Sequence, residues 1–113
     1  ECAEDIEGLF AKPFYFGCEA DDAMVPVAFN KNLHHFGATF NAVFSSDAGH
    51  WDVVDILKVL PEAYKFVETG RLDNDQFRAF TFENAVRLFG EGNPEFFKGT
   101  AVETEAAAVL GAG

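Results

Sequence analysis

The sequence predicts an α/β fold, and two observations carry that prediction. Residues 14–18 and 40–44 are short runs with no polar face, and the residues between them can hold a helix. A strand that is apolar on both sides is one covered on both sides, as in parallel sheets. Two such strands joined through a helical crossover make a right-handed βαβ unit. The strands are therefore expected at 14–18 and 40–45, parallel and adjacent, with Glu19 and Asp47 at the same end. Two strands alone do not make a stable parallel sheet, because both faces need cover and both edges need neighbours. The chain thus reads as the last two βα units of a larger α/β fold, followed by C-terminal helices.

The elements follow in order. Cys2, Ile6 and Leu9 have helical spacing, and Pro13 ends that segment, since the residue before a proline avoids the helical region. The first strand closes in the acidic turn Glu19-Ala20-Asp21-Asp22. Asp21 or Asp22 caps a short helix through Phe29, with Pro26 tolerated in its first turn. Residues 32–37 lead to the second strand, which ends in the polar segment from Ser45 to His50. Val53, Ile56, Leu57, Leu60, Tyr64 and Val67 form a helical stripe, broken by Pro61 into a short turn and a helix that starts there. Gly70 suits the position after that helix. Asp73 and Gln76 form a capping-box variant opening a helix with Phe77 and Phe80. Asn84 to Phe89 continue it, and Gly90 is expected to end it. Asn93-Pro94 starts one further turn with Phe96 and Phe97, closed by Gly99. The tail at 104–113 shows no periodic amphipathy and is expected to fray.

Composition narrows the function. The 113 residues hold 8 Lys plus Arg against 19 Asp plus Glu, a net charge of −11. That lacks the basic footprint of a nucleic-acid binder and opposes attraction to an anionic membrane. No apolar run approaches the roughly 18 residues of a membrane span. Two cysteines, Cys2 and Cys18, are too few for a disulfide scaffold, and no signal peptide is legible, so a cytoplasmic setting is expected. Phe is unusually frequent, at 14 residues. That is more ring than one small core easily hides.

Asp47 is the first candidate for chemistry, because it follows an apolar strand at its carboxyl end, where α/β barrels carry their sites. Between Ser45, Ser46 and His50 it could bind a metal or act as a base, or simply cap the turn. His50 could meet a substrate group or sit in the loop with a backbone partner. Glu19 would point into the same mouth, or stay a solvated turn carboxylate. His34 and His35 are adjacent and lack the spacing of a metal pair. Cys18 reads as a small core residue, and no Cys-x-x-Cys pattern, P-loop or nucleophile elbow occurs.

The segment Phe44-Ser-Ser-Asp47-Ala-Gly-His50-Trp-Asp-Val53 resembles the last barrel strand of the amidohydrolase superfamily. More narrowly it is similar to the amidohydrolase-2 group of metal-dependent TIM-barrel hydrolases and decarboxylases, in which a Gly/Ser-Ser-Asp-x-x-His segment closes the barrel. Phe14-Tyr-Phe-Gly-Cys-Glu-Ala-Asp-Asp22 resembles the seventh strand and its loop. Val59-Leu-Pro-Glu-Ala-Tyr64, residues 77–89 and Asn93-Pro-Glu-Phe-Phe-Lys-Gly99 resemble the C-terminal helices. The likeness covers residues 1–103, about the last third of a barrel that needs ~250 residues.

The resemblance implies a C-terminal fragment of a (β/α)8 TIM barrel, with Asp47 as metal ligand and acceptor of the water proton. His50, and more remotely Glu19, would be substrate-binding. The implied cofactor is a divalent metal, zinc by the family's habit. The family's His-x-His pair on the first strand, and its histidines on the fifth and sixth, have no counterpart here. A catalytic zinc needs about three protein ligands, so this chain alone is expected to be inactive. The implied activity of the full-length parent is metal-dependent hydrolysis or decarboxylation of a small carboxylate-bearing or cyclic substrate. The parent is expected to be a homo-oligomer, with a small-molecule substrate and no nucleic-acid or membrane partner. The alternative is a stand-alone, non-catalytic interaction domain derived from the barrel end.

Overall fold

The computed structural model describes residues 2–112. Its sheet has two strands, β1 (Tyr15–Glu19) and β2 (Asn41–Ser45). They run parallel, in register from Tyr15 opposite Asn41 to Glu19 opposite Ser45. Each strand begins one residue later than the apolar run suggests, and β1 extends to Glu19.

The crossover carries α1 (Val25–Phe29). Asp22 sets its start: its carboxylate accepts from the Met24 amide at 2.8 Å, and its carbonyl accepts from the Val25 amide at 3.0 Å. Pro26 lies in the first turn, where an amide donor has no helical partner to lose. Phe36 and Gly37, at φ 59° and 67°, then reverse the chain into β2.

After β2, a 3₁₀ turn (Ile56–Lys58) feeds α2 (Val59–Glu68). The Asp55 carboxylate accepts from the Leu57 amide at 3.0 Å. The helix thus starts two residues before Pro61, which its first turn accommodates. Gly70, at φ 69°, ends it in the left-handed region where a side chain would be strained. The capping box is present at α3 (Asn74–Arg78): the Gln76 amide donates to Asp73 at 2.7 Å, and the Asp73 amide donates to Gln76 at 3.0 Å. A π turn (Ala79–Glu83) passes directly into α4 (Asn84–Gly90).

The main core lies on one side of the sheet. Ala20, Val25, Ala42, Ala63, Phe66, Leu72 and Phe80 are buried together, with Cys18 and Phe44 packed against them. Phe80 meets Phe44 edge to face, with ring centroids 5.7 Å apart. Because side chains alternate along a strand, Cys18, Ala42 and Phe44 turn toward the helices. Tyr15, Gly17, Glu19, Val43 and Ser45 occupy the other face, where each is half-buried or exposed. The described residues therefore cover one side of the doubly apolar strands more fully than the other.

Three expectations are corrected. First, most of the tail expected to fray is helical: α5 (Glu103–Gly111) buries Ala106 and Val109 against Val86, Phe82 and Phe97. Gly113 lies outside the described residues. Weak amphipathy misled because a small face of Ala106 and Val109 is enough when a neighbouring helix approaches closely. Gly90 ends α4 as expected. It is the last residue of α4, and a Cβ there would come within 2.7 Å of a Leu110 methyl, so its smallness is what lets α5 approach. Second, the predicted stripe is not the buried one. α2 buries Ala63 and Phe66, with Val59 half-buried beside them, whereas Leu60 and Tyr64 of α2 and Ile56 and Leu57 of the preceding 3₁₀ turn are exposed. Both stripes have helical spacing, and small Ala63 permits the closer approach to the core. Third, at the N-terminal end Ile6 and Leu9 are exposed, and Ala11 is the buried residue.

Among the described residues, no helix is long and apolar enough to cross a membrane.

Candidate functional site

The parallel register brings the carboxyl ends of both strands together, and Glu19 stands opposite Ser45 as the last pair. Partners in register point to the same side of a sheet, so Glu19 projects away from the helix-covered face. Asp47 follows two residues beyond Ser45. Glu19 and Asp47 line one open cleft of about 360 Å³, together with Asp21, Asp52, Asp55 and Glu62. Lys58 is the sole cationic side chain lining it, and its ammonium lies 3.6 Å from the Asp55 carboxylate.

A tight turn builds the site itself. Asp47 has φ 49°, a left-handed conformation that Asp and Asn tolerate better than most residues. The Ala48 amide donates to Ser46 Oγ at 3.3 Å, and the His50 amide donates to the Asp47 carbonyl at 3.1 Å. Gly49, at φ 101°, completes the reversal with a conformation that side chains rarely adopt. The turn returns His50 to Asp47, with His50 Nδ1 3.1 Å from Asp47 Oδ2. The same nitrogen lies 3.6 Å from Asp52 Oδ1. Asp47 is the most enclosed of the three, with its side chain 26% exposed against 66% for His50.

Asp52 is the residue that sequence reasoning missed. Its signal was the pattern Asp-x-x-His-x-Asp from 47 to 52, three donors within one loop. Asp47, His50 and Asp52 each offer a ligand atom, and these atoms all lie within 4.8 Å of one another. One imidazole nitrogen and two carboxylate oxygens are a donor set suited to a divalent transition metal. Bonds of about 2.0–2.1 Å at tetrahedral angles place neighbouring donors ~3.3 Å apart. The observed 3.1 and 3.6 Å bracket that separation. His50 and Asp52 thus stand beside the single carboxylate that the resemblance carries over, and the three together are candidate ligands for a divalent ion.

The other candidates lie outside this cluster. His34 Nε2 lies 2.8 Å from the Val27 carbonyl, and its ring meets Phe40 edge-on at 4.7 Å. His35 is exposed at the start of the 3₁₀ turn His35–Gly37. The Cys18 thiol contacts the Phe16 carbonyl at 3.4 Å. Burial, and then the nearby charge of Asp22, push that thiol above its ordinary value, which disfavours the nucleophilic thiolate.

No protein-family model, no curated protein and no solved structure matches this chain.

Proposed function

We propose that this chain is the C-terminal segment of a metal-dependent, amidohydrolase-like enzyme of the (β/α)8 barrel type. One observation carries the reading. Two adjacent parallel strands deliver Glu19 and Asp47 to one cleft at their carboxyl ends, and Asp47 there contacts His50. The less covered face of the sheet, bearing half-buried Tyr15 and Val43 and exposed Gly17, is the face that further strands of a barrel would cover.

Asp47, His50 and Asp52 would hold the divalent ion, zinc by resemblance. When bound, it would lower the pKa of water or polarise a substrate carbonyl. The Asp47 carboxylate accepts the proton from the attacking water. Lys58 supplies positive charge for a substrate carboxylate in a cleft that is otherwise acidic. The substrate class is a small carboxylate-bearing or cyclic molecule, and the reaction is hydrolysis or decarboxylation. The full-length enzyme is read as a cytoplasmic homo-oligomer that binds neither nucleic acid nor membrane.

The test is Asp47→Asn in the full-length protein. Removing a general base costs about 10²–10⁴-fold in turnover. Unchanged turnover in a folded variant would make Asp47 a turn residue only. A second reading, a non-catalytic interaction domain, is favoured by the exposed apolar stripe of α2.

A further inference from the structure

With 8 Lys plus Arg against 19 Asp plus Glu, most cations in this chain should sit on a carboxylate, and most do. Lys12 pairs with Glu7, Lys58 with Asp55, Lys65 with Glu62 and Lys98 with Glu95, while Arg78 and Arg87 share Glu83. Among the described residues, the lysine and arginine side chains left without a carboxylate partner are Lys31 and Arg71. Both line the same open groove of about 560 Å³, and no acidic side chain lines it with them.

The groove lies where α1 gives way to the loop toward β2, and where α2 gives way to α3. The Phe40 amide donates to the Ala28 carbonyl at 2.9 Å, which holds the end of α1 beside the amino end of β2. The acidic cleft with Asp47 is at the carboxyl ends of the strands, so the two sites stand at opposite ends of the sheet. Around the groove, acceptors are consumed and donors are left over. The Asn30 side-chain oxygen accepts from the Asn32 amide at 3.0 Å, which leaves the Asn30 NH₂ free to donate. The Gln76 oxygen accepts from the Asp73 amide at 3.0 Å, which leaves the Gln76 NH₂ in the same state. The Asp73 carboxylate is itself held by the Gln76 amide at 2.7 Å. The carbonyls at the two helix ends are taken as well. Val27 accepts from the Asn30 amide and from His34 Nε2, and Phe66 accepts from the amides of Arg71 and Leu72. One wall is apolar, made by Pro26, Val27, Phe29 and Leu33.

We propose that this groove binds an organic phosphate monoester, with the phosphate between Lys31 and Arg71 and the apolar body against Phe29 and Leu33. A guanidinium, an ammonium and two amide groups offer donors only, which suits a group with three terminal acceptor oxygens better than a carboxylate with two. The volume is within the range of small-molecule sites, which join an apolar lining to a few converging polar groups. The net charge of −11 opposes the approach of any anion, but screening over ~8 Å at physiological salt confines that opposition. The site is independent of the metal reading, because it shares no residue with the acidic cleft.

The probe is phenyl phosphate, titrated calorimetrically into the chain at physiological ionic strength. A dissociation constant of roughly 0.1–1 mM is expected. Inorganic phosphate lacks the apolar body and benzoate lacks the third oxygen, and each is expected to bind about tenfold more weakly. In isotope-labelled chain, the amide signals of Lys31, Asn32 and Arg71 are expected to shift as phenyl phosphate is added. The double variant Lys31→Gln/Arg71→Gln removes both charges from exposed, unpaired positions. It is expected to lose at least about tenfold in affinity with unchanged circular dichroism. Equal binding by the folded variant would overturn the proposal, as would no binding up to about 10 mM. Equal affinity for inorganic phosphate would show that the apolar wall contributes nothing, and equal affinity for benzoate would make this a carboxylate site; either overturns it. Should the variant fail to fold, the shifts in the unaltered chain decide, and shifts absent from residues 30–33 and 70–71 would overturn it. Asp47→Asn is expected to leave phenyl phosphate binding intact, which separates this test from that of the enzyme reading. Lost binding in that variant would place the phosphate in the acidic cleft and overturn the proposal.

Discussion

The side-chain amide of Asn84 donates a 2.8 Å hydrogen bond to the carbonyl of Ala42, buried and 42 residues away in sequence. It ties the first residue of α4 to the second residue of β2, the strand that leads to Asp47. The bond holds the helical half of the chain against the strand that presents the candidate site.

Asn84→Ala is expected to destabilise the chain by about 1–3 kcal/mol, because the Ala42 carbonyl stays buried without its donor. Asn84→Asp adds a pH signature. A buried carboxyl facing a carbonyl oxygen holds its proton more tightly folded than unfolded, so its folded pKa is raised. Stability of that variant is then expected to fall as pH rises above about 4, where the unfolded carboxyl ionises. Urea denaturation from pH 4 to 7 measures this. A flat profile would mean that the side chain turns out to solvent.

Phe80 is fully buried and rests edge-on against Phe44. Phe80→Ala is expected to cost about 3–5 kcal/mol, a large part of the ~5–15 kcal/mol available to a domain. Calorimetric melting checks it. A loss below about 1 kcal/mol would show that the π turn relaxes into the cavity.

Asp47 combines a chemical candidacy with a left-handed backbone at φ 49°. Asp47→Asn and Asp47→Gly are expected to keep the denaturation midpoint, since both residues accept that conformation. Asp47→Val is expected to lose about 1–2 kcal/mol through its β-branched side chain at positive φ. Equal stability of all three would mean that the turn reforms in another conformation. The comparison also ensures that any lost turnover in Asp47→Asn reflects chemistry rather than folding.

Cys18 is partly buried and its thiol pKa is raised, whereas Cys2 is exposed. Alkylation by iodoacetamide is expected to modify Cys2 first at pH 8. The rate at Cys18 is expected to climb only at pH above the ordinary thiol range, because the thiolate is the nucleophile. Mass spectrometry of partly alkylated chains reads both. Faster reaction at Cys18 would show that the covering side chains open readily.

The two strands, the Asp73–Gln76 capping box, the Gly70 stop and the placement of Glu19 and Asp47 were legible in the sequence. Each depends on local chemistry: an apolar run between turn residues, a cap, a glycine at positive φ, a carboxylate just after a strand. Tertiary structure decided the rest. It chose Ala63 and Phe66 over Leu60 and Tyr64 as the buried face of α2, because two stripes of equal period differ only in what they can approach. It seated α5 through the small Gly90 beside Leu110, a contact that no periodicity encodes. It also joined Asp52 to Asp47 and His50, because the left-handed turn at Asp47 and Gly49 folds the loop back on itself. Spacing in sequence becomes distance in space only once those dihedral angles are set.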